Sequence, residues 1–232
     1  MRPTEWRVSS SYGGSGDRSR EPMRKRRSLD SVKQVTMAGE TSRKLIAALQ
    51  VSLDGLIEGP KGELDWIGSW EDSFDLLAEV DTFVLGAGMY PGYEQYWLAV
   101  LTNPEGILPF TGRVPSKGEF EYARFADKTP HVVLSRSLNA AAWKTTRIVR
   151  NVADIRALKH EPGKHIHAVG GASLISTLMN EGLVDQVRLT VHPVVLGTGK
   201  ALFEGVEGRH RLELLATERL SGGRVSVAYD IA

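Results

Sequence analysis

Gly170-Gly171-Ala172-Ser173-Leu174 is the stretch of this sequence best suited to hold an anion. A glycine pair lets a chain turn sharply with no Cβ between its backbone and a ligand. If a helix starts behind it, the N–H groups of Ala172 and Ser173 point outward from a helix N-terminus, where anions bind. The run lacks the third glycine of the G-x-G-x-x-G dinucleotide fingerprint, and a plain strand–helix turn is its simpler reading. Ser135-Arg136-Ser137 offers two hydroxyls and a guanidinium, groups that suit a phosphate monoester; a solvated arginine is the simpler reading there. Gly197-Thr198-Gly199-Lys200 looks like the tail of a phosphate-binding loop but has neither the upstream glycine nor a hydroxyl after the lysine, and reads as a turn. His165 and His167 stand two apart and on a strand would share a face. No acidic residue lies beside them, so they read as structural. His131, His160, His192 and His210 form no metal-ligand spacing, and no metal site is expected. No serine sits in a G-x-S-x-G elbow, so acyl transfer has no support.

Such residues work only where secondary structure brings them together. From Arg43 onward, strand-like and helix-like segments alternate. Lys44–Val51 reads as a buried strand ending in the turn Ser52-Leu53-Asp54-Gly55. Trp70, Phe74, Leu77 and Val80 predict a helix over Ser69–Val80, with Ser69 as N-cap. Thr82–Leu85 is a strand closed by Gly86. Tyr90–Leu101 is partly helical, blurred by Pro91 and Gly92. Asn103–Gly118, with its prolines and glycines, is a surface loop. Strands follow at Pro130–Leu134 and Thr145–Arg150, then a short helix over Val152–His160 that ends before Pro162-Gly163. His165–Val169 is a strand that leads through the glycine pair into a helix from Ala172 to about Glu181. Gln186–Val191 is a strand, and Leu212–Leu220 with Arg224–Ile231 form a hairpin across Ser221-Gly222-Gly223. The alternation predicts an α/β fold whose sheet is largely parallel, made mixed by the C-terminal antiparallel hairpin. Ligands of such sheets bind outside the carboxyl ends of the strands, where the turns at 52–55, 86–90, 135–137 and 170–173 fall.

Composition closes off other chemistries. The 232 residues include no cysteine, which excludes disulfide scaffolds, thiol nucleophiles, cysteine-ligated zinc, iron–sulfur clusters and the zinc nucleobase deaminases. A net charge of +1 makes no case for nucleic acid, and no apolar run approaches the roughly 18–20 residues that span a bilayer. Charge is uneven, however. Residues 1–40 hold nine Lys/Arg against five Asp/Glu, including Arg24-Lys25-Arg26-Arg27, with a Ser/Gly-rich stretch and no apolar periodicity. Residues 1–42 are expected to be a disordered basic tail, with Met37 a candidate start, no secretory apolar region, and acidic residues that argue against a transit peptide. One folded domain is expected over 43–232.

Read in order, the folded part carries Leu45-Ile46-Ala47-Ala48-Leu49, Ser52-Leu53-Asp54-Gly55, Val84-Leu85-Gly86 with Tyr90, Val133-Leu134-Ser135-Arg136, Val169-Gly170-Gly171-Ala172-Ser173-Leu174, and Pro193–Gly199 with Leu202-Phe203. This order resembles the dihydrofolate reductase superfamily, most closely the reductase domain of the bifunctional riboflavin-biosynthesis deaminase–reductase, over Lys44–Ile231. The resemblance implies a dihydrofolate-reductase-like three-layer α/β fold with a mixed, mainly parallel eight-stranded sheet, and NADP(H) as cofactor. It implies that Gly170 and Gly171 lie against the pyrophosphate, with Ala172, Ser173 and Leu174 continuing the contact. Ser135 and Arg136 would hold the 2′-phosphate, and Gly86 would start a helix near the adenosine phosphates. Ala47 and Ala48 would lie beside the nicotinamide or the substrate ring, with Asp54, Trp66 and Tyr90 on the substrate side. The folate enzyme's carboxylate, early in the helix after its active-site tryptophan, has three counterparts here: Glu71, Asp72 and Asp75. Ala87 and Met89 stand where the family usually has Arg and Thr, which removes a phosphate contact. The deaminase domain, which needs cysteine, is not expected.

Together these readings point to a cytoplasmic oxidoreductase. It would be an NADPH-dependent reductase that transfers hydride to a small planar nitrogen heterocycle, pterin- or pyrimidine-like. Asp54 is the first candidate for a catalytic carboxylate, and Glu71 or Asp72 the second. One alternative is the riboflavin-pathway reductase proper, acting on a ribosylated pyrimidine phosphate, although no cationic pocket beyond Arg136 is evident for it. Another is a non-catalytic nucleotide-binding module, which the departures at Ala87 and Met89 favour. A small-molecule substrate is the expected partner, with a homodimer formed through the C-terminal strands, whose edges need covering. No membrane or nucleic-acid partner is expected, the weaker alternative being salt-sensitive nucleic-acid binding by the basic tail.

Overall fold

Leu45–Ser52, apolar on both faces, forms the central strand β1, and every one of its residues is buried. Such a run suits a strand between parallel neighbours with a layer on each side. The computed structural model describes residues 42–232; the basic segment expected over 1–42 lies outside the described residues except for Ser42. Beyond β1 the chain forms β2 (Leu56–Glu58), β3 (Val80–Gly86), α1 (Tyr90–Thr102), α2 (Lys117–Lys128), β4 (His131–Leu134) and β5 (Thr146–Val149). It continues through α3 (Val152–Leu158), β6 (His165–Gly170), α4 (Ala172–Asn180), β7 (Gln186–His192), β8 (Lys200–Ala201), β9 (Leu212–Arg219) and β10 (Val225–Ile231). Eight strands lie in the order β5-β4-β3-β6-β1-β7-β10-β9, and β2 pairs with β8 in a separate ribbon. Pairing is parallel from β5 to β7. It becomes antiparallel where β10 joins β7 and β9. This is the mixed, mainly parallel eight-stranded sheet that the resemblance implies, with the C-terminal antiparallel hairpin that the sequence pattern predicts.

The period-2 alternation of β1 divides its side chains between two cores. Ala47, Leu49 and Val51 pack with Ile155 and Leu158 of α3 and with Leu174, Ile175 and Leu178 of α4. Ile46 and Ala48 pack on the other face, with Tyr93 and Trp97 of α1 and Tyr122 and Ala126 of α2. Between β2 and β3, residues 66–79 also cover that second face, through Trp70, Phe74, Leu76 and Leu77.

The helix expected over Ser69–Val80 does not form. The Asp72 carboxylate accepts the N–H groups of Phe74, Leu76 and Leu77, so backbone donors go to a side chain. Short acidic side chains offer the chain this alternative to a helix ladder. Asp75 has φ 55°, and the Trp70 N–H goes to Glu119 instead. The apolar periodicity was real, but it describes packing onto the sheet. The reverse holds for α2, which receives no element in the sequence reading. Its buried positions, Glu119, Tyr122, Ala123 and Ala126, keep helical spacing, but a carboxylate and two alanines carry little apolar signal. Ser116 and Glu119 start it with a reciprocal capping box, which satisfies two otherwise orphaned N–H groups.

Candidate functional site

The chain leaves β6 toward α4 on one face, and leaves β1 and β3 toward residues 66–79 and α1 on the other. A sheet opens a crevice where neighbouring strands send their connections to opposite faces. Here that point is the carboxyl end of β6, which is Gly170-Gly171. The β1–β6 pairing stops at Ala47↔Ala168, although β1 continues to Ser52 and β6 to Gly170. The two strands part just below the glycine pair.

Both glycines have positive φ, 130° at Gly170 and 86° at Gly171. A Cβ on Gly170 would stand 2.6 Å from Leu49 Cδ2, whereas one on Gly171 would meet nothing within 4 Å. Gly170 is thus demanded by packing, and Gly171 faces open space. Behind it, Leu174 and Ile175 both donate to the Gly171 carbonyl, which leaves the N–H groups of Ala172 and Ser173 at the free end of α4. Gly86 approaches the same place: a Cβ there would lie 3.3 Å from Leu174 Cβ and 3.9 Å from the Gly170 carbonyl. Met89 Sδ stands 3.7 Å from the Cβ position of Gly170. Gly86, Met89 and 170–173 therefore meet, with Ala48 on the far side of β6 and Ser135-Arg136 beyond β3. Three strand spacings of ~4.8 Å separate β4 from β1, a span that suits an extended dinucleotide.

Arg136 is exposed and forms no ion pair among the described residues. Ser135 is buried, and its Oγ accepts the N–H groups of Ser137 and Leu138. Ser135 shapes the turn, and Arg136 is the group it presents. Arg150 braces the same turn by donating to the carbonyls of Ser135 and Leu138.

Several expected site residues turn their side chains into the core. Ala47 points into the α3/α4 core, away from the face that Ala48 shares with residues 66–79. Leu174 is 4% exposed in that same core and uses its N–H within the helix start, so it offers a ligand neither group. Tyr90 is 1% exposed, and its hydroxyl is tied to Glu94 and Thr146. It anchors the start of α1 in the core.

The three proposed catalytic carboxylates are all engaged as acceptors. Asp72 closes its own turn, as described above. Glu71 accepts from the Ser116 hydroxyl at the start of α2. Asp54 accepts from the Ser52 hydroxyl and from the N–H groups of Leu196 and Gly197. Those bonds, the Ser52 hydroxyl foremost, hold its pKa down at about 2. It clasps the turn after β1 to the 193–199 loop. The expected turn at Gly197-Thr198-Gly199-Lys200 leads into β8, and Gly199 packs against the Glu58 carbonyl with no room for a Cβ.

The sequence reading missed a polar cluster at the end of β1 and β7. Gln50 donates through Nε2 to the Ser69 carbonyl, which leaves its Oε1 to accept from His192 Nε2 at 2.7 Å. Trp66, half-buried, meets the His192 ring edge-on at 5.1 Å, and its indole N–H has no hydrogen-bond partner among the described residues. Burial, then Arg224, lowers the His192 pKa. The available signal was a glutamine inside an otherwise apolar strand. His167, buried on β6, bonds the Ala48 carbonyl through Nε2 at 3.2 Å, and burial lowers its pKa to about 4. His165 Nδ1 accepts the Lys44 N–H, and among the described residues no cluster of potential metal ligands forms.

Residues 43–226 match the sequence profile of the RibD C-terminal domain. The chain belongs to that family. The uncharacterized protein YyaP of Bacillus subtilis (strain 168) is 37% identical to it over 190 residues, covering 81% of this chain and 94% of YyaP. Among solved structures, Enterococcus faecalis dihydrofolate reductase complexed with NADP(H) superposes with a TM-score of 0.54 at 16% identity, covering 81% of this chain and 96% of that one. A Thermotoga maritima diaminohydroxyphosphoribosylaminopyrimidine deaminase/5-amino-6-(5-phosphoribosylamino)uracil reductase gives 0.53 at 16% identity, over 82% of this chain and 57% of that one. These likenesses establish a dihydrofolate-reductase-like fold in this RibD-family domain. No helix among the described residues is long and apolar enough to cross a membrane.

Proposed function

We propose that this RibD-family domain is an NADPH-dependent reductase that delivers hydride to a small planar nitrogen heterocycle of pterin or pyrimidine type. The observation that carries the reading is the crevice at the end of β6, where Gly171 borders open space in front of two free N–H groups of α4. A Cβ would fill that cradle, and a helix N-terminus favours a pyrophosphate there. Arg136, exposed and without an ion pair among the described residues, would hold a 2′-phosphate, a role that an acidic residue would not support. When bound, the cofactor would supply the hydride. Ala48 and the 66–79 segment would orient the acceptor ring and exclude water, which is the protein's share of such chemistry.

With Asp54, Glu71 and Asp72 occupied as acceptors, the accompanying proton is assigned to solvent. The same occupancy favours a second reading, a nucleotide-binding module without turnover, and the absence of Arg and Thr at Ala87 and Met89 points the same way. The riboflavin-pathway reaction named for the Thermotoga protein remains a more specific form of the first reading.

Titration of the full chain with NADPH and NADH, followed by ligand fluorescence, tests the cofactor. Preference for NADPH that Arg136→Ala abolishes is the expected result, and binding of neither would overturn the proposal. A screen of pterins and pyrimidines for NADPH oxidation then separates reductase from binding module.

A further inference from the structure

We infer that His167 is a positioning residue: its imidazole holds the Ala48 carbonyl where β1 and β6 part, and so keeps open the mouth of the crevice that would receive a nicotinamide ring. This rests on the cofactor reading above. The Ile166 N–H donates to the Lys44 carbonyl on the β6 side, while the Leu45 carbonyl accepts from Asp185 on the β7 side. Backbone direction alternates along a strand, so the Ala48 carbonyl also faces β6. Continued in register, the parallel ladder would pair it with the N–H of Gly170. Pairing with β1 ends one step earlier, and Gly170 is matched instead to Leu85 of β3 across an irregularity in register.

The Ala48 carbonyl is thus a buried acceptor without its ladder donor, a situation folded proteins avoid. His167 supplies the donor, 3.2 Å away. A carbonyl only accepts, so the proton resides on Nε2. Phe83 and Phe74 wall the imidazole at ring-centroid distances of 5.5 and 6.4 Å. His167 is 4% exposed and Ala48 2%, which leaves little room for water to take over. With an apolar side chain at 167, the carbonyl would regain a partner only by drawing β6 toward β1 and narrowing the crevice. The histidine satisfies the carbonyl without closing the seam.

The test compares the full-length protein with His167→Met, close in size but without a donor, and His167→Gln, which keeps an N–H donor. Each is titrated with NADPH and with adenosine 2′,5′-bisphosphate, which lacks the nicotinamide half. His167→Met is expected to weaken NADPH binding tenfold or more and to leave the bisphosphate within twofold, with His167→Gln recovering most of the loss. Unchanged NADPH binding, or equal weakening of both ligands, overturns the inference. Failure of the unaltered protein to bind either ligand overturns the cofactor reading, and this inference with it. Independently of any variant, nitrogen-15 spectra of the unaltered protein should place the His167 proton on Nε2; the other tautomer would refute the assignment.

Discussion

Exchanging the two glycines of β6 one at a time separates a packing demand from a binding demand. Gly170 has φ 130°, and its added Cβ would lie 2.6 Å from Leu49 Cδ2. The backbone conformation costs an alanine ~1–3 kcal/mol. Displacing Leu49, itself 8% exposed in the core, adds ~1–3 kcal/mol of overpacking. Gly170→Ala should therefore destabilise by about 4 kcal/mol, and at roughly 2–4 °C per kcal/mol for a domain of this size its melting temperature falls by ~8–16 °C. Gly171 has φ 86° and nothing within 4 Å of the Cβ position. Gly171→Ala carries only the cost of its positive-φ backbone conformation, ~1–3 kcal/mol, or ~2–12 °C. Its methyl group, however, would stand in the opening before α4. Thermal unfolding and NADPH titration of both variants should then give opposite rankings. Gly170→Ala loses more stability, and Gly171→Ala retains its fold but loses at least tenfold in affinity. Equal melting temperatures would refute the role given to Leu49. Wild-type affinity in Gly171→Ala would refute anion binding at the start of α4.

Glu119 has no exposed surface and receives Arg113, the N–H groups of Trp70 and Ser116, and the Tyr96 hydroxyl. Glu119→Ala leaves those donors unpaired and should cost ~3–5 kcal/mol in urea unfolding, with loss confined to a few tenths counting against its role as a hub. Burial lowers His131 and His167 from 6.5 to about 4, so between these values the unfolded chain binds protons that the folded one does not. Stability should therefore be full above pH 6.5 and fall as pH drops toward 4, by up to about 3 kcal/mol per histidine; urea midpoints that stay level from pH 7 to 5 would contradict this. Glu119, lowered to about 2, is a depressed acid, so its contribution is lost only as pH falls below 4.5 through that value. Asp54→Ala should speed amide hydrogen exchange at Leu196 and Gly197 while Asp54→Asn, which keeps an acceptor, changes it less; slow exchange in both variants would remove the clasp from the account.

Much of the fold was legible because its signals are local. β1 reads as a strand from an apolar run interrupted only by Gln50, and the β9–β10 hairpin reads from a glycine pair between two alternating segments. The turns that matter were placed correctly because each follows directly on a strand. The errors lie where a single side chain redirects a backbone. No periodicity announces that Asp72 will take three N–H groups and unwind a helix, or that Glu119 will draw the Trp70 N–H across 49 residues of sequence. Tyr90 and Leu174 follow glycine turns as the resemblance implies, yet their side chains turn inward, because an element's first residues often anchor it to the core.

The fate of the carboxylates bears most directly on chemistry. A carboxylic acid donates a proton usefully only when its pKa lies near the working pH. The hydrogen bonds that Asp54 accepts hold its pKa at about 2, well below that range. Its three acceptor bonds are also the reason it holds two loops together, and the same geometry favours its ionised form. Asp72 and Glu71 are drawn into the same kind of structural work by the irregular 66–79 segment. That segment in turn lies over the face of Ala48 because it never became a helix. The loss of the expected helix, the occupied carboxylates and the polar Gln50–His192–Trp66 cluster are therefore linked. These acids shape the cover of the crevice, and beside them the Trp66 indole N–H has no hydrogen-bond partner among the described residues.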